Sequence, residues 1–217
     1  KLVVLPLGVA PLAETPEPRS YDASKPLRIL SVGRLSTQKA QEYLIRACAQ
    51  LRDKGLAFEC QLVGEGPQRA FLESEIERLN LSDQVELLGA KYHHEVLEMY
   101  KEADLFVMSS VAEGMPIVLM EAMQAGVPVL STAISGIPEL LDYGMAGILV
   151  PPASDDALAE SMEAVITGEI DLDELRDQAI QHIAQNFDQG KNAIRFQQLL
   201  ETSNSTEQKV VSSVSHG

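Results

Sequence analysis

Four charged side chains stand where charge is otherwise scarce. Arg34 and Lys39 lie five residues apart in "SVGRLSTQKA", at the end of an apolar run. Glu113 and Glu121 close the two ends of "EGMPIVLME", in which every residue between them is uncharged. Two cations across a turn can converge on one anion, Arg as a planar fork and Lys as a point charge; they can equally be solvated surface charges. A carboxylate inside "PIVLMEAMQAG" costs several kcal/mol unless something holds it, on the order of an unpaired buried charge. Glu121 is therefore held either by a basic side chain or by a ligand that donates hydrogen bonds to it.

These residues must be positioned by the elements around them. Apolar runs at 28–33, 58–64, 85–89, 104–110, 127–132 and 147–151 read as strands. Helical periodicity fills the gaps. Residues 38–54 place Leu44, Ile45, Cys48 and Leu51 on one face and stop at Gly55. Residues 67–79 open with Pro67 at the first helical position and repeat Leu72, Ile76 and Leu79. Residues 93–102 group Val96, Leu97 and Tyr100. Three more helices follow at about 155–167, 171–186 and 190–201. Strand alternating with helix predicts an α/β fold: a Rossmann-like parallel sheet of about six strands with helices on both faces.

In such a sheet ligands sit outside the carboxyl ends of the strands, so the loops after strands carry the chemistry. Gly33 permits a sharp exit from the first strand toward Arg34, and Lys39 falls at the start of the next helix. After the fourth strand, Gly114 and Pro116 prepare a helix start, because Pro needs no N–H donor in the first turn. The free N–H groups of that turn favour an anion such as a diphosphate. Glu121 sits about five residues inside this helix, roughly 7.5 Å along its axis. A ligand with phosphates at the helix mouth can offer ribose hydroxyls to Glu121 and a sugar to Glu113. "GEGP" after the second strand lacks the third glycine of a dinucleotide fingerprint and reads as a tight turn. No GxxxxGK[ST] loop and no Ser/His/Asp or Cys/His set is present. The adjacent His93 and His94 have no third ligand at metal spacing and read as exposed residues at a helix start; His182 reads as lying on a solvated helix face. Ser135 and Glu139 read as residues at another helix start.

Bulk properties narrow the function classes. The chain has 217 residues and a net charge of −15, which disfavours long-range attraction to nucleic acid or anionic lipid. An anionic ligand therefore depends on local cations and backbone N–H groups. Cys48 and Cys60 have no metal-ligand spacing and read as buried free thiols of a reducing, cytoplasmic compartment. No run approaches the roughly 20 apolar residues that span a bilayer. The chain begins at "KLVVLPLGV" without Met, which reads as a piece of something longer, and "APLAETPEPRSYDASKP" reads as a linker. "TSNSTEQKVVSSVSHG" has no periodicity and reads as a disordered tail. The expected organisation is 1–26 as the end of a preceding domain plus linker, 27–168 as the ligand-binding domain, 169–201 as carboxyl-terminal helices and 202–217 as tail.

The ordered set "GRL…K", "GEGP", "VELLG", "ADLFVMSS", "EGMPIVLME" and "GVPVLST…SGIPE", over about residues 27–152, resembles the carboxyl-terminal half of a retaining glycosyltransferase of the two-Rossmann GT-B type. The likeness is to family 4, among the glycosyl transferases group 1. "KLVVLPLGV" resembles the segment that ends the first domain of such enzymes, and "NFDQGKNAIRFQQLLE" their closing helix. The resemblance implies that this half binds a nucleotide-sugar donor, a UDP-, GDP- or ADP-sugar. It implies that Arg34 and Lys39 contact the diphosphate, that Glu113 faces the donor sugar and that Glu121 grips the ribose hydroxyls. The backbone of Gly33, Gly114, Met115, Pro116 and Ile117 would flank sugar and phosphates, with Ala90, Lys91 and Tyr92 near the base. Catalysis would rest on Glu113, Arg34 and Lys39, with no metal and no other cofactor. The acceptor, a glycan, lipid or small molecule, would be held by an amino-terminal domain absent from this chain, as would any membrane contact, and the fragment alone would be inactive. Three departures stand out. Lys39-Ala40 replaces a usual Lys-Gly, read as a mild change at a helix position. "LPLGV" replaces Pro-Asn-Gly-Val, and "SGIPE" stands in for a Gly-Gly. Two other readings stay open: a non-catalytic nucleotide-sugar-binding module, and an epimerase of the same architecture, for which this half shows no acid–base constellation.

Overall fold

The computed structural model describes residues 8–10 and 21–199. The expected linker core at 11–20 and the tail at 202–217 lie outside the described residues. Six parallel strands form one sheet in the order β3-β2-β1-β4-β5-β6. They are β1 Leu27–Val32, β2 Phe58–Val63, β3 Val85–Gly89, β4 Leu105–Met108, β5 Val129–Thr132 and β6 Ile148–Val150. Between them run α1 Gln41–Asp53, α2 Arg69–Arg78, α3 His93–Glu102, α4 Ile117–Gln124 and the short α5 Ile137–Leu140; α6 Asp155–Ile166 and α7 Leu172–Asn186 follow. A further helix occupies 189–199. The doubly wound α/β fold expected from the sequence is the fold observed.

β4 and β5 are buried at every position and β1 at most of its positions, whereas β2 alternates, with Glu59 and Gln61 exposed. In β1, Ile29 packs with Leu44, Leu51 and Leu72 on the α1–α2–α6 side. Its neighbour Leu30 packs with Tyr100, Met120 and Ile183 on the α3–α4–α7 side. In β4, Leu105 and Val107 join the first core while Phe106 and Met108 join the second. Strand alternation thus assigns each helix to a face. Cys48 of α1 and Cys60 of β2 are buried free thiols in the first core. The hydrogen bond to Cys60 and then burial push the Cys48 thiol well above its ordinary range, so it is a packing group.

Local boundaries differ from expectation at two helix starts. The helix after "GEGP" opens at Arg69, two residues beyond Pro67, since the Gln68 N–H still closes back on the Leu35 carbonyl at 3.1 Å. Helix α1 opens at Gln41, so Lys39 lies in the preceding turn. Ala40 is the N-cap and has a left-handed backbone, φ 52° and ψ 41°. The replacement of glycine there is therefore no change at a helix position: it puts a Cβ where left-handed backbone costs on the order of 1 kcal/mol.

The segment at 8–10 docks on the far side of the chain. Val9 is buried, its N–H donates to the Phe187 carbonyl at 2.9 Å and its carbonyl accepts from the Gln189 N–H at 3.0 Å. The two outlying pieces that resembled a domain end and a closing helix thus meet in one parallel bridge, Val9 to Asp188. His182 is half-buried, its ring 5.5 Å from that of Phe187. The solvated position expected for His182 is corrected: α7 turns this residue inward toward Phe187, while Ala179 and Ile183 fill the core beside it.

Candidate functional site

Strand order reverses between β1 and β4, so the crevice of this sheet opens above their carboxyl ends. Arg34, Lys39, Glu113 and the start of α4 all belong to the loops leaving these two strands.

The β1 exit is built by backbone. The Gly33 N–H donates to the Val63 carbonyl at 2.9 Å and the Leu35 N–H to the Glu65 carbonyl at 3.0 Å, so "GRLS" lies directly on "GEGP". This explains the glycines of the second loop. A Cβ on Gly64, whose φ is +142°, would stand 1.9 Å from the Gly33 carbonyl oxygen. One on Gly66 would stand 2.2 Å from the Leu35 oxygen. "GEGP" is more than a tight turn: it is the floor under the loop that carries Arg34.

The turn bearing Lys39 is then tied to β4. The Val111 N–H donates to the Gln38 carbonyl at 2.8 Å, and the Ser109 hydroxyl donates to the Ala40 carbonyl at 3.1 Å. The Thr132 hydroxyl of β5 donates to the Ser110 carbonyl at 2.7 Å. Ser109, Ser110, Ser131 and Thr132 are all buried. The hydroxyls of Ser109, Ser131 and Thr132 donate to backbone carbonyls that would otherwise be left unpaired away from water.

On this scaffold Lys39 and Glu113 form an ion pair, with side chains 22% and 12% exposed. Glu113 Oε1 also accepts the Ser110 hydroxyl at 2.9 Å. Gly33 leaves room for the lysine stem, since an added Cβ would come within 3.3 Å of Lys39 Cε. Arg34 is exposed, and its guanidinium pairs with no acidic group among the described residues. The structure therefore brings Lys39 to Glu113 and leaves Arg34 apart on the same loop. Gln41 holds that loop from below: its buried amide donates to the Arg34 carbonyl at 3.1 Å.

Helix α4 opens after Pro116, whose carbonyl accepts from the Leu119 N–H at 3.2 Å. The Ile117 and Val118 N–H groups at this start have no intrahelical acceptor. Gly114 has open space where a side chain would be. Met115 reaches over Gly136, and Ile117 is 52% exposed. Ser135 has a left-handed backbone, φ 48°, on the loop after β5.

Glu121 lies on α4 with its side chain 17% exposed. One partner is His93, whose Nε2 is 3.0 Å from Glu121 Oε1, and the Tyr100 hydroxyl is another. No lysine or arginine among the described residues pairs with it. Below, the buried Tyr100 donates to the Val118 carbonyl at 3.1 Å. Burial, and next the Glu121 charge, push the Tyr100 hydroxyl far above its ordinary range. His93 was legible as the first residue of a helix, but its contact with Glu121 was not: the two are 28 residues apart and meet only through the fold. The loop Ala90–Tyr92 is exposed beside it, with Tyr92 stacked on His94 at 5.9 Å and Lys91 3.8 Å from Glu95. The loops after β1 and β4 thus carry a cation that pairs with no acid among the described residues, a cation–carboxylate pair and a helix start, and α4 carries a carboxylate bonded to an imidazole. Such an arrangement suits a ligand with an anionic centre and hydroxyl donors on either side.

The family model for glycosyl transferases group 1 matches residues 15–185. WcaL of Escherichia coli (strain K12), provisionally named a colanic acid biosynthesis glycosyltransferase, is 41% identical over 181 residues, covering 81% of this chain and 44% of WcaL. The chain thus spans less than half the length of this relative. Among solved structures, Anabaena HepE in complex with UDP-glucose superposes with a TM-score of 0.73 at 28% identity, covering 84% of this chain and 50% of that one. The C-terminal domain of the group 1 protein LpcC from Francisella tularensis shares the fold, with a TM-score of 0.68 at 21% identity, covering 82% of this chain and 95% of that domain. With its crevice and its parallel sheet in place, this chain belongs to the glycosyl transferases group 1 family.

Proposed function

We propose that residues 27–168 are the donor-binding half of a GT-B glycosyltransferase of the family 4 type, which takes a sugar from a nucleoside-diphosphate sugar with retained configuration. In this reading 1–26 ends and links a preceding acceptor-binding domain, 169–201 supplies the closing helices, and 202–217 is a tail. What supports it is that Arg34, Lys39, Glu113 and the α4 start belong to the loops leaving β1 and β4, where strand order reverses, with Glu121 one turn inside α4. HepE binds UDP-glucose and has the same fold, which supports a sugar nucleotide as ligand.

The chemistry follows from charge. As the bond from the anomeric carbon to the diphosphate breaks, negative charge grows on the leaving phosphate. Arg34, Lys39 and the N–H groups at the start of α4 meet it in a partly water-excluded site. Glu113, already turned toward Lys39, orients the sugar and opposes positive charge at the anomeric carbon. Glu121 accepts the ribose hydroxyls. Gly33, Gly114, Met115, Pro116 and Ile117 line the donor, and Ala90, Lys91 and Tyr92 flank the base. This reading uses no metal. The acceptor, whether glycan, lipid or small molecule, meets the donor from the other domain, and this half alone does not turn over.

A thermal-shift series with UDP, GDP and ADP and their glucose conjugates tests the reading. One nucleotide raises the melting temperature of the chain, and Arg34→Ala removes more of the shift for the diphosphate than for the nucleoside. No shift with any of the six overturns it. Sugar release by the two-domain protein, with and without acceptor, distinguishes an enzyme from a binding module.

A further inference from the structure

Glu121 has a partner that the donor-site reading does not use. His93 opens α3, reaches across to α4 and places Nε2 3.0 Å from Glu121 Oε1. The groups around this contact are few. From α4 there is Glu121 itself. From α3 and the turn before it, Tyr100 lies beneath the carboxylate, Lys91 and Glu95 pair with each other, and His94 stacks on Tyr92. The other Glu95 oxygen takes the Tyr92 N–H at 2.7 Å, so Glu95 is turned toward its own helix start. His93 is 67% exposed while Glu121 is 17% exposed, so the imidazole covers the carboxylate from the solvent side.

We infer that His93 is a positioning residue for donor binding: with Tyr100 it fixes the Glu121 carboxylate, leaves it lone pairs for ribose, and takes up a proton when the donor arrives. The inference rests on the donor-site reading above. A carboxylate has about four lone-pair sites, so a bond from His93 does not displace hydroxyl donors. Imidazoles are the side chains whose ordinary titration falls near neutral pH. A bound sugar nucleotide covers the His93–Glu121 pair and brings a diphosphate into the same crevice. Covering the ring by itself disfavours the imidazolium, while the diphosphate charge and the lower dielectric around the Glu121 carboxylate favour it; in this inference the attraction is the larger effect. Binding is therefore linked to proton uptake, and affinity declines as pH rises through the imidazole range.

Titration calorimetry of the 217-residue chain with UDP-glucose, GDP-glucose and ADP-glucose tests this. Sugar nucleotides are suitable because their diphosphate, esterified at both ends, does not titrate near pH 7. For the donor that binds, the apparent enthalpy at pH 7 is expected to vary with the ionisation enthalpy of the buffer, corresponding to uptake of a fraction of a proton. Affinity is expected to fall about three- to tenfold between pH 6 and pH 8. His93→Gln, which keeps a donor for Glu121, retains the affinity seen at pH 8 but loses both the buffer dependence and the pH slope. His93→Ala binds more weakly at every pH, and His94→Gln behaves as the parent. Binding without buffer dependence, or a slope that survives His93→Gln, overturns the role of His93 and leaves the donor site standing. Absence of binding by all three sugar nucleotides overturns both.

Discussion

The two glutamates of "EGMPIVLME" each meet a nitrogenous side chain, and the two pairs are built differently. Glu113 meets Lys39, a permanent charge on a turn pinned by backbone hydrogen bonds to β2 and β4, and both side chains are largely covered. Glu121 meets His93, a titratable ring on an exposed helix start. The first pair is fixed by the sheet itself, because its turn is the direct continuation of β1 over the glycine floor of β2. The second depends on two helices lying side by side. The Lys39–Glu113 pair is thus set by the sheet, and the His93–Glu121 pair by the helices. The difference teaches that like residues on one helix approach acquire different roles from what the topology sets opposite them.

The comparison breaks most severely at Gly64. Gly64→Ala forces a Cβ against the Gly33 carbonyl at a backbone angle that side chains avoid. A loss of at least ~3 kcal/mol is expected in denaturant unfolding, together with loss of order in the Lys39 turn. Next in size is the Lys39–Glu113 pair. Lys39→Met should destabilise the fold by ~1–2 kcal/mol, between exposed and buried pairs. Glu113→Gln in the same background should cost little more, which a double-mutant cycle reads as coupling. Near-additive losses would show that the two side chains stand together without supporting one another. The smallest effect is Ala40→Gly. It relieves left-handed backbone at the N-cap but gives the unfolded chain more freedom, so a net gain of at most ~1 kcal/mol is expected by thermal unfolding.

Much of this arrangement was legible in the residues. The six mainly apolar runs fall within a residue or two of the six strands, because glycine and polar turns bound each of them and the strands at the centre of the sheet are buried on both faces. The positions of Gly33, Arg34, Glu113 and Glu121 relative to strand ends followed from that. Local periodicity, in contrast, does not carry the N-cap of α1. Ala40 is a good helix former, and Leu44, Ile45, Cys48 and Leu51 mark a face without marking where it begins. The Ser109 hydroxyl and the Val111 N–H, far away in sequence, donate to the Ala40 and Gln38 carbonyls and fix this turn outside the helix. His93 and Glu121 are likewise joined only by packing of α3 against α4. His182 was misplaced because the segment that turns α7 inward, around Phe187 and Val9, lies outside any one helical pattern.

The central claim is that Glu121 is a ribose acceptor, and a ligand-side cycle tests it most directly. Calorimetry would compare the binding nucleoside diphosphate with its 2′,3′-dideoxy analogue, on the parent chain and on Glu121→Ala. The account predicts that removing the hydroxyls weakens binding to the parent by about tenfold or more, the weight of hydrogen bonds to a charged acceptor. It predicts further that the two ligands bind Glu121→Ala with the same affinity. Equal affinity of both ligands for the parent chain would contradict it.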